Sequence, residues 1–339
     1  MTTLGVIGLG RIGAFHTETL SNLDGIDGLV ITDERGDVAE AVAAKHGATY
    51  VATVDELLSS GVDGVVVAAA TPAHAELTLA AVARGIPTFC EKPIASTAAE
   101  SARVAEVILA SGVPVQVGYQ RRYDAAFAAA KRAVDDGSVG TIHTVRSTTM
   151  DPAPPPLDYI KGSGGIFRDC AVHDFDIINW ITGQRAVEVY ATGTVQGDPL
   201  FAEYGDVDTA AVIVKFDGGA LGVVSNARYN ARGYDCRLEI HGFDDSVAAG
   251  WDQGVPLRNT DPHFGSPEDF PTGPSHGFFM DRFTEAFRTE LAAFVEVTKG
   301  GPVLGATVAD AVEVAWLAEA ATESLRRGTP VTIAEVRNS

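Results

Sequence analysis

Cysteine is scarce in this chain, and its three copies, Cys90, Cys170 and Cys236, are widely spaced and odd in number. No C-x-x-C pair occurs, so neither a zinc site nor a disulfide framework is indicated, and a reducing cytoplasm is the expected setting. Basic residues are also few: 25 Lys and Arg stand against 45 Asp and Glu, a formal net charge of −20. Such a surface repels nucleic acid and anionic membranes, which removes both as expected partners. It leaves room for an anionic cofactor, because backbone N–H groups at a helix start bind phosphate locally. Long apolar runs are missing too. None approaches the ~20 residues of a membrane span. The first short run, 4–9, is broken by glycines and lacks a basic flank, so no signal peptide is expected.

What is present is enough chain, 339 residues, for two domains with substantial cores. Residues 1–120 alternate strand and helix signals. Short apolar runs at 4–8, 28–32, 48–51, 63–69, 86–90 and 113–117 are separated by helical stretches, which predicts a parallel sheet covered on both faces. The pattern changes over 121–339. A strand at 141–150 is followed by a Pro- and Gly-rich segment at 151–165 and a helix over 167–181. Strand-like segments then follow at 186–195, 208–216, 220–229 and 234–242, with Asp217-Gly218-Gly219 as a hairpin turn. This predicts an antiparallel or mixed sheet. The segment 255–275 reads as a loop, and 279–298 and 307–326 as amphipathic helices.

Gly8-Leu9-Gly10-Arg11-Ile12-Gly13 fits G-x-G-x-x-G at the junction of the first strand and first helix. The first glycine permits the tight turn, the second lets backbone approach a pyrophosphate, and the third lets helix and strand pack closely. Asp33 ends the second strand, ~20 residues further on, where a carboxylate bonds ribose hydroxyls and repels a 2′-phosphate. NAD is therefore expected, although Arg35 is of a type that pairs with such a phosphate. A plain glycine turn with a solvated Asp33 is the simpler alternative.

Glu91-Lys92-Pro93 follows the fifth strand, at the sheet edge where open α/β sheets bind ligands. Lys92 there suits donation to a substrate oxygen, and equally suits a surface position before a proline turn. Asp169 and His173, four residues apart, share a face of the expected helix. An imidazole beside a carboxylate suits a general base with its orienting partner, and also suits a polar helix face. No metal is expected, because no His-rich cluster accompanies Asp169, His173 and Asp176. Thr71, His74 and Glu91 are placed near the cofactor, although His74 also suits a first-turn surface position. Cys170 reads as a packing residue.

Together these residues resemble the Gfo/Idh/MocA oxidoreductase family over nearly the whole chain. Three further segments resemble its inositol 2-dehydrogenases. They are Gly118-Tyr119-Gln120-Arg121-Arg122-Tyr123-Asp124, the stretch from Asp151-Pro152-Ala153 through Ser163-Gly164-Gly165, and Gly233-Tyr234-Asp235. The resemblance implies an NAD-binding Rossmann domain over 1–120. It implies a substrate-binding and oligomerisation α/β domain over 121–339, with a large open, mostly antiparallel sheet that serves a homotetramer. It assigns Lys92, Asp169 and His173 to catalysis and places Gln120, Arg121, Asp151 and Tyr234 near polyol hydroxyls. Gln120 stands where those enzymes usually have Met, and Cys236 where they usually have Gln. The expected activity is oxidation of a secondary hydroxyl of a cyclitol such as myo-inositol. Another inositol isomer or a pyranose sugar is the alternative substrate, and an NAD-binding regulator without turnover the alternative of another class.

Overall fold

The computed structural model describes residues 1–258, 260 and 273–338. Residues 259 and 261–272 of the loop expected over 255–275 lie outside the described residues. The chain forms two compact units, Met1–Tyr123 with Glu285–Val312, and Asp124–Thr284 with Glu313–Ser339. A single division at residue 120 omits the return of 285–312 to the first unit.

In the first unit six strands run parallel: β1 (Thr3–Ile7), β2 (Gly28–Thr32), β3 (Thr49–Tyr50), β4 (Gly64–Val67), β5 (Thr88–Glu91) and β6 (Val115–Gly118). Helices α1 (Arg11–Ser21), α2 (Gly36–His46), α3 (Val54–Leu58), α4 (Thr71–Val82) and α5 (Ala98–Ser111) connect them. The strand order β6-β5-β4-β1-β2-β3 reverses direction between β1 and β4. All four residues of β4 and of β6 are buried, and β4, Gly-Val-Val-Val, reads as an unbroken apolar run for that reason.

The second unit begins with α6 (Ala125–Asp135), a helix that the sequence reading did not anticipate, capped by the Asp124 side chain. Then come β7 (Ile142–Met150), α7 (Leu157–Ile160), α8 (Ile166–Asp169), α9 (Ala171–Thr182), β8 (Ala186–Thr194), α10 (Leu200–Glu203), β9 (Thr209–Phe216), β10 (Leu221–Ala227), β11 (Asp235–Gly242) and β12 (Ser246–Ala249). The chain closes with α11 (Phe279–Thr298), β13 (Ala306–Thr307), α12 (Val308–Arg327), β14 (Val331–Thr332) and α13 (Ile333–Arg337). Part of α11 explains the return to the first unit: Leu291, Phe294 and Val295 form an apolar stripe that joins Leu4, Val6, Val66 and Phe89 in one core. There β13 adds an antiparallel strand beside β6.

The second sheet has the order β12-β11-β7-β10-β9-β8-β14. Its pairings are antiparallel except β7 with β10, which are parallel. In β9, Ala210, Val212, Val214 and Phe216 are buried while Ala211, Ile213 and Lys215 are exposed, the alternation of a sheet covered on one face. The β9–β10 hairpin turns at Gly219, whose φ of +93° places it where a side chain would be strained. Helix α9 covers the buried face against β7 and β10. Its Asp174 is fully buried and accepts hydrogen bonds from Ser147 Oγ at 2.5 Å, Thr149 Oγ1 at 2.9 Å and Asn226 Nδ2 at 2.8 Å.

The helix expected over 167–181 is interrupted. α8 ends at Asp169, α9 begins at Ala171, and the His173 N–H reaches back to the Cys170 carbonyl at 3.3 Å. A bond three residues back tightens the turn, so Asp169 and His173 do not belong to one regular α-helix.

Replacing Asp174 by Ala strands three donors in the interior. Asp174→Ala is expected to cost about 3 kcal/mol or more, read as a lower midpoint in chemical denaturation. Asp174→Asn, which keeps shape and acceptor oxygen, should cost less.

Candidate active site

The first unit collects its candidate residues at one sheet edge. Parallel strands deliver all their C-terminal ends to the same side. There Gly8 follows β1, Asp33 follows β2, Thr71 opens the helix after β4, Lys92 follows β5, and Gln120 and Arg121 follow β6.

The glycine turn has the shape its sequence requires. Gly8 has φ +90°, and a Cβ there would lie 2.5 Å from Ala69 Cα. A Cβ on Gly13 would lie 1.9 Å from the Gly8 carbonyl oxygen, so helix and turn touch backbone to backbone. Gly10 differs, because a Cβ there would meet nothing within 4 Å. It opens α1 with no side-chain cap and no acid in the first turn, which leaves the N–H groups at the helix start to an anion. Arg11 is exposed and Ile12 half-buried in that turn. An open cradle over an uncapped helix start fits a dinucleotide pyrophosphate.

Asp33 Oδ2 accepts the Leu9 N–H at 2.6 Å, which ties this carboxylate to the glycine turn. Its Oδ1 accepts from Arg35 N at 2.9 Å and Arg35 Nε at 3.2 Å. Burial raises the Asp33 carboxyl, but these donors outweigh it and hold it below the usual range. Arg35 is therefore folded onto Asp33 through Nε, with its side chain largely exposed.

Around Lys92, itself half-buried, the neighbouring residues are held by histidines. Glu91 Oε1 lies 2.7 Å from Nε2 of the fully buried His16, and Glu91 Oε2 accepts the Lys92 N–H at 3.2 Å. Desolvation raises the Glu91 carboxyl, yet His16, Lys92 and His74 together lower it. The Lys92–Pro93 peptide is cis. His74, expected near the cofactor, is buried, with Nδ1 2.7 Å from Pro93 O and Nε2 2.9 Å from Ala69 O. Both ring nitrogens thus face backbone carbonyls. Gln120 and Arg121 are buried in a 3₁₀ turn, Gln120–Tyr123.

The second unit collects the other candidates. Met150 pairs with Ala227 across β7 and β10 and with Asp235 across β7 and β11. That register places Asp151, Arg228 and Tyr234, one residue beyond each, at one end of the sheet. The Arg228 guanidinium bridges Asp151 Oδ2 at 3.1 Å and Asp169 Oδ2 at 2.8 Å while only 3% exposed. Tyr159 OH donates to Asp169 Oδ1 at 2.8 Å. His173 stands half-buried in the first turn of α9. Tyr234 is buried edge-on to Phe283, with ring centroids 6.2 Å apart. Burial pushes the Cys170 thiol well above its usual range, which marks it as a packing group rather than a nucleophile. Among the described residues no group of three or more His, Cys, Asp or Glu is placed to hold a metal, and no helix is long and apolar enough to cross a membrane.

Sequence reasoning missed Arg228, Tyr159 and His16. An arginine near the end of the strand-like segment 220–229 is a usable signal in so acidic a chain. Tyr159 and His16 carry none, because their partners are 10 and 75 residues away.

These features define an oxidoreductase with a dinucleotide-binding unit and a second α/β unit. Residues 2–119 match the family described as "Oxidoreductase family, NAD-binding Rossmann fold", and residues 127–248 match the "GFO/IDH/MocA C-terminal domain". The chain is 36% identical to myo-inositol 2-dehydrogenase of Thermotoga maritima over 98% of this chain and 99% of that protein. It is 34% identical to inositol 2-dehydrogenase of Rhizobium meliloti over 97% of this chain and 98% of that one. The structure of scyllo-inositol dehydrogenase from Lactobacillus casei with bound NAD(H) and scyllo-inositol superposes with a TM-score of 0.88 at 25% identity, covering 98% of this chain and 99% of that one. The chain belongs to the GFO/IDH/MocA oxidoreductase family, and its first unit is an NAD-binding Rossmann domain.

Arg228→Gln leaves Asp151 and Asp169 without their shared cation. It is expected to cost roughly 3–5 kcal/mol of stability and to lower kcat/KM at least about tenfold. Arg228→Lys keeps the charge but loses the two-pronged donor and should fall between. Thermal melts and steady-state rates check both.

Proposed function

We propose that this chain is an NAD-dependent dehydrogenase that oxidises a secondary hydroxyl of a cyclitol, with myo-inositol as the leading substrate and a 2-keto-inositol as product. The observation that carries the reading is the placement of Lys92 on the same strand-end edge as the open Gly10 cradle. The inositol dehydrogenases to which the chain is similar support the substrate class. When bound, NAD supplies a nicotinamide that accepts a hydride. Gly8, Gly10, Arg11, Ile12 and Gly13 hold its pyrophosphate side, and Asp33 its adenosine ribose, with Arg35, Thr71 and Glu91 bordering the site.

His173 takes the hydroxyl proton, Lys92 donates to the oxygen on which negative charge grows, and Asp169 orients and tunes the base. Asp169 suits that task because Arg228 and Tyr159 fix it from two sides. Gln120, Arg121, Asp151 and Tyr234 supply the directional contacts that a neutral polyol requires. Gln120 also favours a second reading, in which the substrate is another inositol isomer or a pyranose sugar, because it replaces an apolar wall with an amide. A homo-oligomer, with a tetramer as the leading form, is supported by the exposed apolar side chains Tyr190, Ile213 and Leu221 on β8, β9 and β10. A cytoplasmic site of action fits the sparse cysteines.

The test is NADH formation with myo-inositol against a panel of inositol isomers and aldoses, compared by kcat/KM. Lys92→Ala and His173→Ala should each lower kcat by ~10²–10⁴. Full activity in either variant removes its role. Tight NAD binding with no turnover on any panel member would favour the regulator. A second measurement addresses the cofactor. Asp33→Asn should lower the preference for NAD over NADP by about tenfold or more, because the charge that repels a 2′-phosphate is gone.

A further inference from the structure

Lys92 lies between two residues that are each anchored by a buried histidine from a different helix. His16, on α1, is fully buried and bonds the Glu91 carboxylate at 2.7 Å. Its ring is wedged edge-on against Phe89 and Phe287, with centroids 5.7 and 5.8 Å away. His74, on α4, is 2% exposed and reaches Pro93 O at 2.7 Å and Ala69 O at 2.9 Å. Ala69 is also the residue against which Gly8 closes. One imidazole therefore links the end of β4, the glycine turn packed on it, and the segment carrying Lys92.

The chemistry of the ring sharpens this. A neutral imidazole has one donor and one acceptor, whereas a carbonyl oxygen only accepts. Between two carbonyls a neutral His74 would set a lone pair against a lone pair inside the protein, so the arrangement calls for the doubly protonated ring. Burial opposes that charge, but the adjoining Cys90 side chain and the two carbonyls outweigh it and raise His74 to about 9.

We propose that His16 and His74 are positioning residues for Lys92, holding the residue before it and the residue after it so that its side chain starts from a fixed backbone. This rests on the catalytic reading of Lys92 given above. It also moves His74 from cofactor binding to the support of the lysine, since neither ring nitrogen is left for a ligand. Neither histidine needs to touch the substrate. Rate enhancement by a single donor is sensitive to displacements of the order of 1 Å, so backbone anchoring reaches kcat directly.

A mutant cycle with NADH binding as a second readout tests the inference. The variants are His74→Gln, His16→Asn, Lys92→Ala and the two doubles with Lys92→Ala. His74→Gln retains a donor for only one of the two carbonyls. It is expected to lower kcat about tenfold or more while NADH affinity, from fluorescence titration, stays within about threefold. In the Lys92→Ala background the same change should cost less than about twofold, because its effect passes through the lysine. An equal penalty in both backgrounds overturns the proposal. Loss of NADH affinity in step with kcat overturns it in favour of a cofactor role. Should His74→Gln fail to fold, His16→Asn, which breaks the other anchor, is judged by the same cycle. If Lys92→Ala alone keeps full activity, the catalytic reading fails instead, and the two failures are distinguishable.

Discussion

Parallel pairing is the constraint on which the first unit depends. Because β1 to β6 run in one sense, every strand-to-helix turn falls on one edge of the sheet. The glycine turn, Asp33, Thr71, Lys92 and Arg121 come from five separate stretches of sequence and meet there for that reason alone. Close backbone contact does the rest. Gly13 lies against the Gly8 carbonyl and Gly8 against Ala69, so the first helix starts where its N–H groups point past the edge. The second sheet uses the same device once. Its parallel pair, β7 with β10, brings Asp151 and Arg228 side by side.

Buried charge is handled differently in the two units. In the second, Arg228 serves two carboxylates and Asp174 is met by hydroxyl and amide donors. Neither arrangement needs to add net stability, since such groups roughly repay their desolvation. What they supply is a unique position for each member. In the first unit, histidines perform that service for the backbone around Lys92. In both, residues proposed to carry the chemistry, Asp169 and the segment around Lys92, have neighbours whose bonds fix them, as a group that must be held to a fraction of an ångström requires.

The strands were legible because burial leaves a local trace. Fully covered strands such as β4 read as apolar runs, and half-covered ones such as β9 alternate. The hairpin at Gly219 was legible because its turn chemistry is local. The return of α11 to the first core was not, because an amphipathic helix shows that it has an apolar face without showing which sheet covers it. The break at Cys170 was hidden for a related reason. Spacing four residues apart predicts a shared face only while the helix is regular, and Cys170 interrupts it between Asp169 and His173.

The sequence alone determined the class of each unit, the dinucleotide motif and the short catalogue of polar residues worth examining. The classes, the motif and the first candidates follow from periodicity, turn chemistry and spacing, which act over a few residues at a time, whereas Gln120, Arg121, Asp151 and Tyr234 entered through the family resemblance. Tertiary structure alone decided the partners: that Asp169 answers to Arg228 and Tyr159, that Arg35 lies on Asp33, and that His74 spans Ala69 and Pro93. Hydrogen bonds and charge pairs depend on distance in space. The 59-residue sequence separation of Asp169 and Arg228 leaves no trace of a distance of 2.8 Å until the sheet register closes it.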